Sequence, residues 1–177
     1  RMWAFAGFTL SAASAAFQIE RPDVVIATSP PLIAVLPGWV LARARRQRAP
    51  WIFEIRDLWP ESAVTTGVLR EGSALTRGLY ALERWAAWSA DRINVLTPAF
   101  RDDLARRHLA PAAKIAFVPN GADVERFKPG PRDTPARREH GWGDRFVVMY
   151  AGAHGRANAL GQLLDTAELL RERSDIL

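Results

Sequence analysis

Cysteine is absent from the sequence, and only three of its 177 residues are histidines. Without thiols the protein has no disulfide scaffold, no thiolate metal site and no cysteine nucleophile. The histidines, His108, His140 and His154, do not follow a metal-ligand spacing. We therefore expect no metal site, and the lack of cysteine fits a reducing compartment such as the cytoplasm.

Long apolar runs are also missing, since none approaches the roughly 20 residues of a membrane-spanning helix. The nearest, residues 32–42, is interrupted by Pro37 and Gly38. Residues 2–19 are apolar and rich in alanine and phenylalanine but show no cleavable signal pattern. We expect this segment to form a buried or membrane-apposed helix.

The formal net charge of +5 comes largely from arginine, which clusters near the ends of the expected helices. The clusters comprise Arg43, Arg45, Arg46 and Arg48, and then Arg101, Arg106 and Arg107. Such clusters attract phosphates or anionic lipid head groups, and they also complement helix dipoles as solvated helix ends. We expect a peripheral contact with the membrane, and nothing in the sequence supports nucleic-acid binding.

Short β-branched or aromatic runs alternate with longer stretches of helical periodicity. Strands are predicted at 24–28, 51–56, 91–97 and 114–118, and helices at 2–19, 31–46, 73–89 and 98–108. Because the strand runs show little polar alternation, they are typical of a parallel sheet covered on both faces. The sequence therefore predicts an α/β fold, a Rossmann-like parallel sheet with helices on both faces.

A second domain is predicted after a stretch that is dense in proline, glycine and charge. We interpret residues 1–127 as one domain, 128–144 as an interdomain linker and 145–177 as the first strand, at 145–150, and the first helix of another. One strand and one helix cannot bury a parallel sheet, so this last part should be loosely ordered or packed on the first. Neither end reads as a natural terminus, so we expect a partial chain.

Ligands of an open parallel sheet bind beyond the carboxyl ends of its strands. After the first strand, Ser29 and Pro30 begin a connection to a helix whose N-terminus suits an anion or a sugar hydroxyl, although a plain turn explains them equally well. After the fourth, Asn120 and Gly121 permit a left-handed turn, and we expect them to shape a cleft wall.

The most distinctive stretch, residues 56–62, follows the second strand and reads Arg-Asp-Leu-Trp-Pro-Glu-Ser. Arg56 offers paired donors to phosphate or carboxylate, Asp57 can orient or deprotonate an acceptor hydroxyl, and Trp59 can stack on a sugar ring. The competing interpretation is internal. In it, Arg56 pairs with Asp57 or Glu61, and Trp59 is a core residue.

A glycine-containing loop, Gly152-Ala153-His154-Gly155, precedes the last predicted helix. Glycines let backbone amides approach a ligand, and the helix dipole favours a diphosphate. The loop matches neither a dinucleotide fingerprint nor a Walker loop, so its signal is weak by itself.

Taken together, residues 22–31, 53–62, 118–123 and 150–155 resemble, in order and spacing, successive signatures of the family-4 glycosyltransferases. The resemblance is strongest to bacterial surface-polysaccharide enzymes of the fucosamine-transferase kind, and it covers essentially the whole chain. It implies a GT-B fold in which an acceptor-side domain faces a second domain that holds a nucleotide-diphosphate sugar. It also implies hexosyltransferase-like transfer with retention of configuration, without a required metal or other cofactor.

The resemblance implies site residues as well. Arg56 replaces a cleft histidine of many relatives, so Arg56 with Asp57 is expected to position phosphate or acceptor rather than to act as a general base. Contacts with donor phosphates are expected from Gly152, Ala153, His154, Gly155 and Asn158. The expected acceptor-cleft residues are Ser29, Pro30, Trp59, Glu61, Asn120 and Gly121.

The same resemblance places the intact enzyme in cell-envelope polysaccharide synthesis, acting on a glycan or lipid-linked acceptor at the inner face of the membrane. Further donor-binding motifs of the family are expected outside this chain, so the fragment alone should be inactive. Two alternatives remain open. One is a GT-B-fold sugar-nucleotide epimerase, and the other is a non-enzymatic membrane or partner-binding module.

Overall fold

The computed structural model describes residues 2–20, 22–43, 48–155 and 158–177. Arg45 and Arg46 of the first arginine cluster lie outside the described residues. The chain forms two compact units, one up to Asn120 and one from Gly121 onward. The predicted linker at 128–144 falls inside the second of these units, and the predicted domain limits stay a prediction.

The first unit alternates helices and strands as the sequence predicts. Its strands are β1 (Val25–Ser29), β2 (Trp51–Ile55), β3 (Arg92–Val95) and β4 (Ile115–Phe117). Its described helices are α1 (Met2–Ala15), α2 (Val35–Arg43), α3 (Glu61–Thr65), α4 (Ala74–Ser89) and α5 (Pro98–Arg106). Short 3-10 turns at Leu32–Ala34 and Ala112–Lys114 precede α2 and β4.

The four strands form one parallel sheet in the order β1-β2-β3-β4. In its register Val25 pairs with Trp51, and Ile93 pairs with both Phe53 and Ile115. A helix lies in each connection between neighbouring strands, which is the arrangement that parallel pairing requires. The predicted α/β class, a Rossmann-like parallel sheet flanked by helices, is confirmed.

The hydrophobic core lies against one face of this sheet. Its strand residues occupy alternate positions, namely Val25, Ala27, Trp51, Phe53, Ile55, Ile93 and Val95. Helices α2, α4 and α5 contribute Val35, Ala86 and Leu104 to the same cluster. The opposite face is more open, and Ile26 on it is 63% exposed. Burying one face fixes the register, because a one-residue slip would exchange the two faces.

Helix α4 is held at both ends by side chains. Ser73 is the N-cap that the sequence predicts, and its hydroxyl accepts a 3.2 Å hydrogen bond from the Thr76 amide. At the other end the Lys114 ammonium donates to the carbonyls of Ala87 and Trp88, at 2.8 and 2.6 Å. A cation at these carbonyls complements the negative end of the helix dipole.

The second unit contains α6 (Pro135–Glu139) and α7 (Leu160–Leu169). The strand predicted at 145–150 is found only as a single parallel bridge between Phe146 and Ile176. The prediction was wrong there because a β-prone run forms a ladder only where a neighbouring strand is available. The apolar side chains of Phe146 and Leu164 stay 66% and 71% exposed.

Candidate functional site

The connections after β1, β2 and β4 meet at the carboxyl edge of the sheet around Arg56. The Arg56 amide donates to the Ser29 carbonyl at 2.9 Å, and Nη2 of Arg56 lies 3.5 Å from Oδ1 of Asn120. Three predicted site residues from three separate segments are therefore neighbours. The 3.5 Å contact is at the limit for a hydrogen bond, so it holds the guanidinium only weakly.

The Arg56 side chain is exposed, and within the described part of the chain its guanidinium forms no salt bridge. Oδ2 of Asp57 accepts instead from the Ser62 hydroxyl at 3.0 Å. The Glu61 carboxylate accepts from the Tyr80 phenol at 2.5 Å. The internal ion pairs considered for Arg56 are therefore not formed, and its planar donors face solvent.

Asp57 and Trp59 are both half-buried in the turn that leads into α3. The Trp59 amide donates to the Asp57 carbonyl at 2.8 Å, which closes the turn. Trp59 packs against the hydrophobic core, as the competing interpretation expects. The Ser62 hydroxyl fixes the Asp57 carboxylate in one orientation, which suits a group that positions a ligand hydroxyl.

Glu61 is joined to α4 by a contact that the sequence does not predict. Burial, together with the hydrogen bond and negative charge of Glu61, raises the pKa of Tyr80 to about 12. The Arg107 guanidinium lies over the Tyr80 ring, 5.7 Å from its centroid. No sequence signal links these residues, because they come from α3, α4 and the turn after α5, which meet only in the folded chain.

Ser29 and Gly121 differ from the local geometry expected of them. Ser29 is 1% exposed, and its hydroxyl has no hydrogen-bond partner within the described residues. Pro30, beside it, is exposed. Neither Asn120 nor Gly121 has a positive φ, so the left-handed turn that Asn-Gly permits is not formed there. Both residues are exposed in an irregular segment after β4.

A polar ladder lies on the open sheet face, just before the strands reach the site. The Glu54 carboxylate accepts from the Thr28 hydroxyl at 2.8 Å and from the Asn94 amide group at 3.3 Å. Asn94 in turn accepts from the Val118 amide at 3.0 Å. These bonds tie the ends of all four strands together. Their sequence signal is a polar residue one position before the end of each of the first three strands.

In the second unit, two side chains of the loop before α7 donate hydrogen bonds to the same backbone carbonyl. The Tyr150 phenol donates to the Ala153 carbonyl at 2.7 Å, and the Asn158 side chain donates to the same oxygen. Gly152 passes so close to Tyr150 that an added Cβ would lie 2.9 Å from its hydroxyl. His154 and Gly155 are exposed in this loop. The predicted phosphate-contacting residues thus form one exposed loop ahead of a helix.

Among the described residues, His, Asp and Glu side chains form no group of three that could hold a metal ion.

None of the described helices has the length and apolarity needed to cross a membrane.

Comparison with known proteins gives three matches. Residues 1–121 match the model of the glycosyl transferase 4-like domain. The probable glycosyltransferase WbjE of Pseudomonas aeruginosa is 26% identical over 153 residues, which cover 86% of this chain and 38% of that protein. The D-inositol 3-phosphate glycosyltransferase of Kineococcus radiotolerans is 31% identical over 139 residues, which cover 77% of this chain and 31% of that protein. The chain thus spans about a third of the length of these curated relatives.

Proposed function

Because the chain belongs to the glycosyl transferase 4-like family, we propose that the intact protein transfers a sugar from a nucleotide-diphosphate sugar to an acceptor. The family match covers the whole parallel sheet and the segment 56–62. In this proposal the fold is GT-B, the first unit binds the acceptor, and a second Rossmann-like domain binds the donor.

The observation that supports the proposal best is the exposed and unpaired guanidinium of Arg56 among the described residues. It lies at the carboxyl edge of the sheet, is exposed, and has no salt-bridge partner among the described residues. Its fork of N–H donors matches the oxygens of a phosphate or carboxylate. A charge already in place stabilises the negative charge that develops on a departing diphosphate, or it positions an anionic acceptor.

Asp57 and Glu61 have different roles in this proposal. Asp57 is oriented by Ser62, so its carboxylate can accept a hydrogen bond from an acceptor hydroxyl and hold it in place. Glu61 is already bonded to Tyr80, and we assign it the positioning of α3 beside the acceptor. Asn120 completes this acceptor set through its contact with Arg56.

We assign the donor diphosphate to the loop from Gly152 to Gly155 and to Asn158. The loop leads into α7, and a helix N-terminus with exposed backbone amides favours phosphate oxygens. By resemblance to the family, we propose transfer with retention of configuration and without a required metal. The acceptor would be a glycan or lipid-linked intermediate of envelope polysaccharide synthesis at the cytoplasmic membrane face.

The test uses the intact protein with a panel of nucleotide sugars and lipid-linked glycans extracted from bacterial membranes. We expect nucleoside diphosphate release that depends on acceptor, sugar incorporation seen by mass spectrometry, and a product whose anomeric coupling by NMR equals that of the donor. Activity should survive chelation with EDTA. Conversion of the sugar nucleotide to an isomer without acceptor would contradict transfer and indicate an epimerase.

A further inference from the structure

The outward side of α4 carries a row of cationic and aromatic side chains. Arg77, Ala81, Arg84 and Trp88 recur every three or four residues, so they lie on one side of the helix. All four are exposed, and Trp88 is 76% exposed. This row, the α4 stripe, runs about 16 Å along the helix at 1.5 Å per residue.

The positive charge of the α4 stripe is not compensated on its own helix. Among the described residues, neither Arg77 nor Arg84 takes part in a salt bridge. The acidic residue of α4, Glu83, is 2% exposed and bonded to Arg107 of the neighbouring turn. The stripe therefore presents two guanidinium groups and one indole to solvent without a nearby carboxylate on α4.

Trp88 stands between two shallow grooves that also contain cations. The groove on one side, about 660 Å³, is lined by the stripe together with His108 and Leu109. The groove on the other side, about 560 Å³, is lined by Trp39, Arg43, Arg48 and Asp91, and the Asp91 carboxylate pairs with Arg43 at 2.7 Å. Trp85 is half-buried and packs on Trp39 with ring centroids 5.5 Å apart, whereas Trp88 projects into solvent.

We propose that the α4 stripe docks the protein on an anionic lipid bilayer. The Trp88 indole would lie in the head-group region, where an amphipathic ring is favoured, and Arg77 and Arg84 would bind lipid phosphates. An extended row on a helix, bordered by open grooves, fits a broad anionic surface better than it fits a small ligand.

The stripe also adjoins the candidate site. Tyr80 lines the groove beside the stripe and donates to Glu61, which belongs to the segment 56–62. Docking through α4 would therefore bring the acceptor segment close to the membrane surface. The inference rests on the membrane contact in the proposed function but not on the transfer reaction, so it is tested without donor or acceptor.

The test is sedimentation of the intact protein with vesicles of phosphatidylcholine alone or mixed equally with phosphatidylglycerol. Wild-type protein should bind the mixed vesicles, and binding should weaken as salt is added. The double variant Arg77→Gln/Arg84→Gln should lower the partition coefficient about 30-fold, since each basic residue near an anionic surface contributes about fivefold. Trp88→Ala should also lower it, and Trp88→Phe should retain most of it.

The matched control is Arg101→Gln/Arg106→Gln, which removes the same charge from α5, where each guanidinium is paired with a carboxylate. This control should bind vesicles like the wild type. If the control loses as much vesicle binding as the α4 variant, net charge and not the α4 stripe drives binding. If the wild type binds both vesicle types equally, anionic lipid is not required. Retention on a DNA duplex but not on vesicles would assign the stripe to another polyanion and refute the bilayer.

Discussion

The Tyr80 phenol donates a 2.5 Å hydrogen bond to the Glu61 carboxylate, and this contact joins α4 to the segment that follows β2. The Arg107 guanidinium lies over the same ring, 5.7 Å from its centroid. Helix α3, only five residues long, is too short to hold itself in place and is therefore positioned by this contact. The orientation of the candidate acceptor segment thus depends on a residue that a ligand does not need to touch.

Replacing Tyr80 with phenylalanine should lower the free energy of unfolding by about 1 kcal/mol at neutral pH, because one hydrogen bond to a partly exposed carboxylate is lost. Urea denaturation measures this difference. Thr65→Val is the matched control, since it removes a hydroxyl that bonds only within α3, and it should change stability less. If the two variants lose the same free energy of unfolding, the Tyr80 contact does not stabilise the fold more than an ordinary hydroxyl does.

The same bond predicts an alkaline pH dependence. The pKa of Tyr80 is raised from 10.0 to about 12, so folding favours the protonated phenol. Its contribution to stability is complete below pH 10 and is lost as the pH rises towards 12. The stability difference between wild type and Tyr80→Phe should therefore shrink over this interval. A constant difference up to pH 12 would contradict the raised pKa.

Two helical glycines should respond to alanine in opposite directions. A Cβ on Gly38 of α2 would lie 2.6 Å from the Ala27 Cβ of β1, so the helix must move off the sheet. A Cβ on Gly78 of α4 meets nothing within 4 Å. We expect Gly38→Ala to destabilise by about 2 kcal/mol and Gly78→Ala to stabilise by up to about 1 kcal/mol. Thermal melting of both variants measures these differences. Similar changes in melting temperature for the two variants would contradict the close approach of α2 to β1.

Removing the Arg107 guanidinium from its pair with Glu83 should strongly lower the free energy of unfolding. Glu83 is 2% exposed, and burial raises its pKa although Arg107 bonds to it. Arg107→Met leaves this carboxylate buried without its partner, so we expect a loss of about 3 kcal/mol at neutral pH. Denaturant titration measures it, and Arg106→Met, which removes a more exposed arginine one residue earlier, should cost far less.

The loss in Arg107→Met should diminish at low pH. Because the pKa of Glu83 is raised in the folded state, its protonated form is favoured there, and stability is regained as the pH falls below that pKa. The double variant Glu83→Leu/Arg107→Met should recover part of the loss at neutral pH, since no charge remains buried. A loss of the same size at every pH would mean that packing, not the buried charge, explains the effect.

Local patterns in the sequence were sufficient to predict the parallel sheet and its main helices. The β-branched runs before Ser29, Arg56 and Leu96 carry their own signal, and Ser73 marks the start of α4 by its capping hydroxyl. Because ligand sites of parallel sheets lie beyond the strand ends, the same patterns also placed Arg56 and Asn120 correctly at one edge. The contacts that each of these residues makes could be seen only in the folded structure.

The sequence could not predict contacts between residues that are distant along the chain. Arg107 belongs to a cluster that suggests a solvated helix end, yet it pairs with buried Glu83, which is 24 residues away. The run at 145–150 has strong β propensity, but it forms no more than a single bridge, between Phe146 and Ile176. In both cases tertiary surroundings, and not local propensity, decide the outcome.

The turnover of the intact protein with Arg56→Ala shows whether Arg56 acts on the substrates. The exposed guanidinium has no salt bridge to lose among the described residues, so we expect normal thermal stability and turnover lowered by about 10²-fold, the scale of losing one preorganised charge contact. Arg56→Lys should restore only part of it, because an ammonium lacks the guanidinium fork. Arg70→Ala, at another exposed arginine of the connection between β2 and β3, should behave like the wild type. If Arg56→Ala instead melts early while its folded fraction keeps normal turnover, Arg56 is a structural residue and the proposed site is wrong.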